Sequence, residues 1–341
     1  MRLTFSFVLA GVALGAVSAA AQGPDPRELR DAVRHAVTRA YQGRDTGQEQ
    51  TDRFSGKYRI GRDGRVSIQN ISGDITVTAG SGDEVSVEAV KRARRDRSQL
   101  DQVRVEVDNA AGRVDIRTSY PRLNNVNVSV DYTVTVPTGV SVELHSVSGS
   151  VKVSGVRGVV RAETVSGNVT LTDTPKLEVA KSVSGDVSFS GVSTDTDVSI
   201  ASVSGSVRGR SVKAHGLEFN SVSGDVMISD VTCDRLGAKS VSGAIEYSGS
   251  ITRAGRYDMN SHSGSVRLTL TNPPGFEVTA NTFSGSIRSD FPLTIGGDSD
   301  PQRLRCEPSA ETSSSRRDSV STTEACWHLA CSVYRRRIID R

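Results

Sequence analysis

Hydrophobic and polar residues alternate with a period of two over most of the chain, from about residue 54 to residue 290. Val66 and Ile68 are an early example, and Val134 and Val136 a later one. Such alternation is typical of short strands with one buried face. Stretches rich in Gly and Asp, such as residues 61–64, predict the turns between them. The pattern therefore predicts an all-β protein.

One short phrase, of the type S-V-S-G-D-V, recurs nine times. Its glycines are Gly73, Gly149, Gly167, Gly185, Gly205, Gly224, Gly243, Gly264 and Gly285. From Gly149 onward the spacings are 18, 18, 20, 19, 19, 21 and 21 residues, and the first interval is 76, four times 19. A fixed period of this length indicates one supersecondary unit stacked on copies of itself. We therefore predict a single-domain parallel β-solenoid with about 19 residues per coil.

Two apolar columns of the repeat predict its core. Two residues before the glycine stand Ile71, Val147, Val165, Val183, Val203, Val222, Val241, His262 and Phe283. Two residues after it stand Ile75, Val151, Val169, Val187, Val207, Val226, Ile245, Val266 and Ile287. Because side chains alternate along a strand, both columns and the glycine between them are expected to face the core. Further inward pairs, such as Val142 and Leu144, precede the phrase, and the two polar positions in between predict a corner.

The glycine and the hydroxyl columns beside it each admit more than one explanation. The glycine either adopts a backbone angle that other residues avoid, or it makes room for the facing wall of a narrow coil. Ser precedes every glycine, and Ser or Thr stands three positions before it in all phrases except the first, which has Asn70. Hydrogen bonding between coils is the favoured role of these hydroxyls. A water-ordering array and a carbohydrate-binding face are the alternatives.

Reactive groups are scattered rather than clustered. The position after the glycine lacks a carboxylate in successive coils, so a calcium ladder is not expected, and solvated turn positions are the favoured interpretation. Glu163 and Lys181 share a column in neighbouring coils and predict a surface salt bridge. His145, His215 and His262 fall in different columns, and His262 replaces a valine of the expected core. The sequence therefore predicts no catalytic residue, no cofactor site and no metal site.

Residues 1–21 have the features of a secretory signal peptide. Arg2 precedes an apolar stretch, and cleavage is expected between Ala21 and Gln22. An uncleaved anchor is the alternative, and no later segment is long and apolar enough to span a bilayer. Residues 22–53 are predicted to form one amphipathic helix, over 27–42, and a linker. The helix is expected to cap the solenoid of residues 54–300 or to bind a partner.

The last segment, residues 301–341, has a different composition. It contains none of the 32 glycines but three of the four cysteines, Cys306, Cys326 and Cys331, and the only tryptophan. A disulfide-linked or disordered extension, to which Cys233 could pair, is one interpretation. A basic surface anchor is another. We favour a shift of reading frame near residue 300, which predicts an irregular tail and a last coil that lacks its cap.

Charge and composition exclude some classes of binding partner. The 42 basic and 39 acidic residues give a net charge of +3, which argues against binding nucleic acid through bulk charge. Aromatic residues make up only 5% of the chain, too few to supply an aromatic carbohydrate cleft. One basic run, residues 91–97, is expected to be a solvated loop or short helix. Contact with anionic polymers or phospholipid headgroups is its alternative role.

Three sequence stretches resemble the bacterial putative adhesin domain family of unknown function. They are the S-V-S-G-D-V phrases, the entry segment G-R-V-S-I-Q-N-I-S-G-D-I-T-V followed by D-E-V-S-V-E-A-V, and the segment Y-T-V-T-V-P. The resemblance covers about residues 54–298. It implies an exported, right-handed β-solenoid, and it supplies no catalytic residues.

These observations favour a non-enzymatic, exported β-solenoid that acts as a binding, adhesion or structural module at the cell envelope, periplasmic or secreted. Its expected partner is an envelope polysaccharide or protein. A carbohydrate-active β-helix enzyme, either a polysaccharide lyase or a hydrolase, is the first alternative. The second is an envelope scaffold that self-associates through the open edges of its end coils.

Overall fold

The computed structural model describes residues 49–94, 97–121, 126–271, 273, 276–280, 285–290, 294–295, 303–306 and 326–333. The predicted signal peptide, its cleavage site at Ala21 and Gln22 and the predicted helix over 27–42 lie outside the described residues. In the part described, strands dominate and one short helix is present, as expected for an all-β protein.

The entry segment contains seven strands and the helix. These are β1 (Gln50–Arg59), β2 (Arg65–Ser72), β3 (Ile75–Gly80), β4 (Glu84–Ala93), α1 (Ser98–Gln102), β5 (Arg104–Ala110), β6 (Arg113–Ser119) and β7 (Val128–Pro137). Strand β7 pairs in parallel with β3, and β4 and then β1 follow it in antiparallel pairing. The β5–β6 hairpin pairs with β2 through β6. The basic run expected to be a loop or short helix begins in β4, where the Lys91 ammonium lies 3.0 Å from the Asp52 carboxylate.

The regular coils follow. Their strands are β8 (Ser141–Ser148), β9 (Val151–Ser154), β10 (Val160–Ser166), β11 (Val169–Thr172), β12 (Leu177–Ser184), β13 (Val187–Ser193), β14 (Asp197–Ser204), β15 (Val207–Ser223), β16 (Val226–Ser242), β17 (Ile245–Ser263) and β18 (Ser265–Thr271). The remaining strands are β19 (Phe276–Thr279), β20 (Gly285–Ser289), β21 (Thr294–Ile295), β22 (Arg303–Cys306) and β23 (Cys326–Val333).

Each coil contributes one strand before its glycine and one after it, and equivalent strands pair in parallel. Before the glycine, β6, β2, β8, β10, β12 and β14 stack in that order onto the second half of β15. After it, β3, β9, β11, β13 and the first half of β15 stack in the same way. Repeat positions pair with each other, as Val187 does with Val207. The predicted parallel β-solenoid is confirmed.

The core lies between these two stacks. In the column two residues after the glycine, the first seven side chains are fully buried, namely Ile75, Val151, Val169, Val187, Val207, Val226 and Ile245. Val266 and Ile287, in the last two phrases, are only partly buried. Val142 and Leu144 are also buried, as predicted from their place before the phrase. The Phe189 and Phe219 rings, one from each stack, lie 6.1 Å apart between their centres. Burial of these β-branched and aromatic side chains is the main source of stability for the coils.

The column two residues before the glycine is not in the core, and the prediction that placed it there is wrong. Ile71 and the six valines from Val147 to Val241 are 45–50% exposed. Alternation instead holds as far as Ser146, which is buried; β8 then ends with the exposed Val147 and Ser148, and the chain turns at Gly149 and Ser150. Four residues therefore form the corner, and the valine and the serine after it both lie outside. His262 in the same column is likewise exposed, and Phe283 is not described.

In the last segment, where an irregular tail is expected, residues 303–306 and 326–333 are described, and both form strands. Residues Cys326–Val333 form β23, which pairs antiparallel with β18 and with β20. Strand β22 pairs with β19 and β21 in a separate three-stranded sheet. The edge of the solenoid at β18 is therefore covered. Among the described helical residues, none forms a segment of the length and hydropathy needed to cross a membrane.

Candidate functional site

The glycine corner is the most regular part of the molecule. Gly149, Gly167, Gly185, Gly205 and Gly224 have φ between +147° and +157°, a region that other residues rarely adopt. A Cβ atom on Gly167 or on any of the later ones would also lie 2.1–2.2 Å from the carbonyl oxygen of the glycine one coil earlier. Both explanations offered for the glycine therefore hold. A Cβ atom on Gly73 would likewise lie too close to the carbonyl oxygen of Val130. Gly285, the last glycine of the series, is the first residue of β20.

The steric requirement extends to the later corners. At Gly243 and Gly264 a Cβ atom would lie 2.3 Å and 2.0 Å from the preceding glycine's carbonyl oxygen, without a comparable positive φ. Close approach between coils is thus the shared reason for the glycine column from Gly149 to Gly264.

Several hydroxyls of the column three residues before the glycine donate hydrogen bonds to the carbonyl groups of the repeat glycines. The hydroxyl of Thr164 donates to the Gly149 carbonyl at 3.1 Å, and that of Ser182 donates to the Gly167 carbonyl at 2.9 Å. Asn70 serves the first coil, where its amide donates to the carbonyls of Gly73 and Val130. Ser202 and Ser261 likewise donate to the Gly185 and Gly243 carbonyls. Ser221 donates to the Gly224 carbonyl of its own phrase, and the Ser146 and Ser240 hydroxyls have no partner among the described residues. The predicted hydrogen bonding between coils is therefore confirmed for four of these hydroxyls.

The position after the glycine has a structural role that the sequence prediction missed. The side-chain oxygens of Asp74, Asn168, Asp186 and Asp225 each accept the backbone N–H of the equivalent residue one coil later, at 2.7–2.9 Å. The interpretation of these positions as merely solvated turns is therefore wrong. The N–H of Ser206, and secondarily the Arg208 guanidinium, lower the pKa of the Asp186 carboxyl although partial burial opposes them.

A groove of about 470 Å³ runs across the outer face of the strands that follow the glycine. We define the groove by two outward columns of these strands. Its hydroxyl column contains Thr172, Ser190, Ser229, Ser248 and Thr269, with Arg210 in the middle. Its wall contains the longer side chains of Arg208, Met227, Glu246 and Arg267. The groove exists because long side chains occupy one column in four successive coils while hydroxyls occupy the next.

Positive charge in the groove is only partly compensated. The Arg208 guanidinium lies 2.9 Å from the Asp186 carboxylate, and the Arg267 guanidinium lies 3.6 Å from the Glu246 carboxylate. Arg210, between them, makes no ion pair or hydrogen bond with a described residue, and it is exposed. The arrangement can therefore present hydroxyls and one available guanidinium to an anionic ligand.

The exposed apolar column forms a second surface, the valine ridge. It consists of Ile71, Val147, Val165, Val183, Val203, Val222 and Val241. The serine that follows each of them, from Ser72 to Ser242, pairs in register with its neighbours. The ridge thus carries one apolar side chain per coil and no charged residue, and the groove does not include it.

The opposite face carries ion pairs. His145 lies between Glu143 and Glu163, at 3.3 Å and 3.6 Å, and Lys181 lies 3.7 Å from Glu163. The salt bridge predicted between Glu163 and Lys181 is confirmed. His215, in another column, lies 3.2 Å from Asp234. Over the described residues, His, Cys, Asp and Glu form no group of three or more suited to hold a metal ion.

Cys233 is a free thiol in the core of β16. Burial, and secondarily the neighbouring Asp234 carboxylate, raise the pKa of this thiol to about 12. The interpretation in which Cys233 pairs with a cysteine of the last segment is therefore wrong. Its environment suits a packing role, because a thiol is reactive only as a thiolate.

Comparison with known proteins gives several distant structural matches and one family. A putative cell adhesion protein of Clostridium sporogenes is 12% identical over 59% of this chain and 100% of its own, with a TM-score of 0.31. A putative adhesin of Bacteroides fragilis is 15% identical over 62% and 93%, with a TM-score of 0.36. A putative lipid binding protein of Parabacteroides distasonis is 15% identical over 61% and 97%, with a TM-score of 0.31. No curated protein matches. The model of the Toastrack DUF4097 family matches residues 64–315, and the chain belongs to that family.

Proposed function

We propose that this protein is a non-enzymatic binding module of the bacterial cell envelope and that its groove binds an anionic polysaccharide. The observation that carries the proposal is the hydroxyl column of the groove with the uncompensated Arg210 at its centre. Export to the envelope rests on the predicted signal peptide over residues 1–21.

The hydroxyl column suits an extended polymer. Equivalent residues in adjacent coils are separated by about 4.8 Å, so the six strands from Thr172 to Thr269 span about 24 Å. Hydroxyl groups both donate and accept hydrogen bonds, as sugar hydroxyls do. A chain lying along this column would meet one polar side chain per coil over several sugar units.

Arg210 determines the preferred charge of the ligand. A guanidinium binds a carboxylate or phosphate through two parallel hydrogen bonds, which a neutral sugar does not offer. Arg208 and Arg267 are held by Asp186 and Glu246, so they contribute less net charge. The groove should therefore distinguish acidic from neutral polysaccharides mainly through one residue.

The groove is poorly equipped for cleavage. Glycoside hydrolysis commonly uses two carboxyl groups on either side of the scissile bond. Among the residues that line this groove, Glu246 is the single carboxylate, and it is paired with Arg267. Binding without chemical change is the function that this residue set supports.

A binding assay with the purified mature protein tests the proposal. Acidic and neutral polysaccharides of matched length are titrated into the wild-type protein and into Arg210→Ala, with calorimetry as the readout. We expect acidic chains to bind and Arg210→Ala to weaken binding about tenfold, the effect of roughly 1.4 kcal/mol. Arg210→Lys should retain part of the affinity.

Lys152→Ala is the matched control, because Lys152 is an exposed cation on the same face but outside the groove. Equal affinity of wild type and Arg210→Ala would contradict the assignment of the groove. Shortening of the polysaccharide during incubation would instead favour the carbohydrate-active alternative, and Glu143→Gln would then test the carboxylates around His145.

A further inference from the structure

We infer that the valine ridge is an interface between two copies of this chain, which pack ridge against ridge in opposite directions around a twofold axis near Val183. This inference is independent of the groove, which occupies other columns of the repeat. The partner is a second copy because the geometry of the ridge fits an identical ridge better than an unrelated surface.

Exposure of the ridge is not explained by the stability of a single solenoid. The seven side chains are about half exposed, while the seven residues from Ile75 to Ile245 in the column after the glycine are fully buried. A four-residue corner on a soluble protein is normally polar. Here each corner from Ile71 to Val241 places a β-branched apolar residue outside, followed by an uncharged serine.

The repeat spacing selects the partner. The ridge residues recur once per coil, about 4.8 Å apart, so the ridge is about 29 Å long. Side chains of a partner can interdigitate along that whole length only if the partner has the same spacing. A second copy of the chain has the same spacing because it has the same repeat. Its serines would lie against serines, so no charge would be placed against the apolar residues.

The area is sufficient for a dimer when the flanking residues are included. Seven β-branched side chains at this exposure present about 550 Å² of surface, which is at the upper end of single exposed patches on monomers. The serines on either side bring the contact toward the roughly 800 Å² per partner of a standard interface.

Twofold symmetry fixes which residues meet. Val183 is the fourth of seven ridge residues and lies at the centre. In an antiparallel pair it faces Val183 of the second copy, and Val147 faces Val222. The next coil carries the exposed His262 instead of valine, so the apolar series ends there. Closed twofold dimers are the commonest symmetric assemblies and do not propagate into fibres.

Sedimentation equilibrium of the unmodified mature chain is the first test. We expect a dimer with a dissociation constant of ~1 µM or tighter. Val183→Asp/Val203→Asp should be monomeric, with an unchanged far-ultraviolet spectrum because both side chains are exposed. Lys152→Asp, on another face, should remain dimeric. A wild-type monomer at about 100 µM, or a dimer that persists in the double variant, would overturn the inference.

Cysteine cross-linking tests the direction of packing, in a background with Cys306, Cys326 and Cys331 changed to Ser. Val183→Cys should form a disulfide-linked dimer with itself. Val147→Cys should cross-link to Val222→Cys when the two variants are mixed, and much less with itself. Efficient self-linking of Val147→Cys, with none between the mixed pair, would exclude the antiparallel arrangement.

Discussion

Replacement of Gly185 by alanine should strongly destabilise the solenoid. The new Cβ would lie 2.1 Å from the Gly167 carbonyl oxygen and 2.6 Å from its carbon, both backbone atoms of the neighbouring coil. Neither can move freely, because the Gly167 N–H donates to the Ser184 carbonyl and the Gly185 N–H to the Ser204 carbonyl, both at 3.0 Å.

Three effects add at this site. The φ of +152° is unfavourable for a residue with a Cβ, at a cost of roughly 1–2 kcal/mol. Forcing the coils apart resembles overpacking of a core, which costs about 1–3 kcal/mol. Displacement of the Gly167 carbonyl also breaks its hydrogen bond from Ser182, worth about 1 kcal/mol. We therefore expect Gly185→Ala to lower the free energy of unfolding by about 3–6 kcal/mol.

The control is Gly237→Ala, within strand β16 and away from the corners. A Cβ at Gly237 meets no atom within 4 Å. This replacement restricts the unfolded chain and is expected to stabilise the protein by up to about 1 kcal/mol. Urea titration of both variants, monitored by circular dichroism, gives the difference between their free energies of unfolding. In a thermal melt, the midpoint of Gly185→Ala should fall by roughly 10 °C. Equal midpoints for the two variants would refute the argument from close approach.

Three further predictions concern single side chains. Val226→Asp should lower the free energy of unfolding by several kcal/mol because it buries an unpaired charge. Val203→Asp should change the urea midpoint of the monomer little, since Val203 is exposed. Similar midpoints for the two variants would contradict both placements. Because the pKa of Asp186 is lower in the folded state, its contribution should be complete above about pH 4 and be lost as the pH falls through the folded value. Asp186→Asn should flatten that part of the stability profile, and an unchanged acid limb would count against the hydrogen bond from Ser206. With Cys306, Cys326 and Cys331 changed to Ser, a thiol reagent at pH 8 should label Cys233 only after denaturation; rapid labelling of the native protein would show that this thiol is accessible.

The stacking of the coils could be predicted from the sequence because it depends on identity between repeats. Val187 and Val207 occupy the same place in their phrases, and identical columns are satisfied together only when equivalent strands pair in parallel. The column two residues after the glycine was likewise assigned correctly to the core from Ile75 to Ile245, since its members are apolar and continue an alternating strand. Its last two members, Val266 and Ile287, are only partly buried.

The corner could not be placed by the same rule. Alternation assumes that the backbone remains extended, whereas the φ near +150° at Gly149 changes the direction of the chain. Val147 was assigned to the core because it is apolar, although apolar residues are also common on surfaces. Ser146 lies inside because it continues the alternation of Val142 and Leu144, although its hydroxyl has no hydrogen-bond partner among the described residues.

The groove left a signal in the sequence. Arg208, Met227, Glu246 and Arg267 each stand three residues after a repeat glycine, so four successive coils carry a long side chain in one column. Comparing side-chain length along columns, rather than polarity alone, would have located the wall. That Arg210 remains uncompensated depends on where Asp186 and Glu246 point, and this requires the folded structure.

The glycine corner has a consequence for how chains of this kind can change in length. Each interior corner contacts the corners directly before and after it, through the same carbonyl, hydroxyl and N–H groups. Removal or duplication of one complete repeat would therefore join two corners that already match, and would alter the length of the stack by one step of about 4.8 Å. Insertion of a few residues is tolerated only in the return segment, where the spacing already varies from 18 to 21 residues. The length of this stack should therefore change in steps of whole coils.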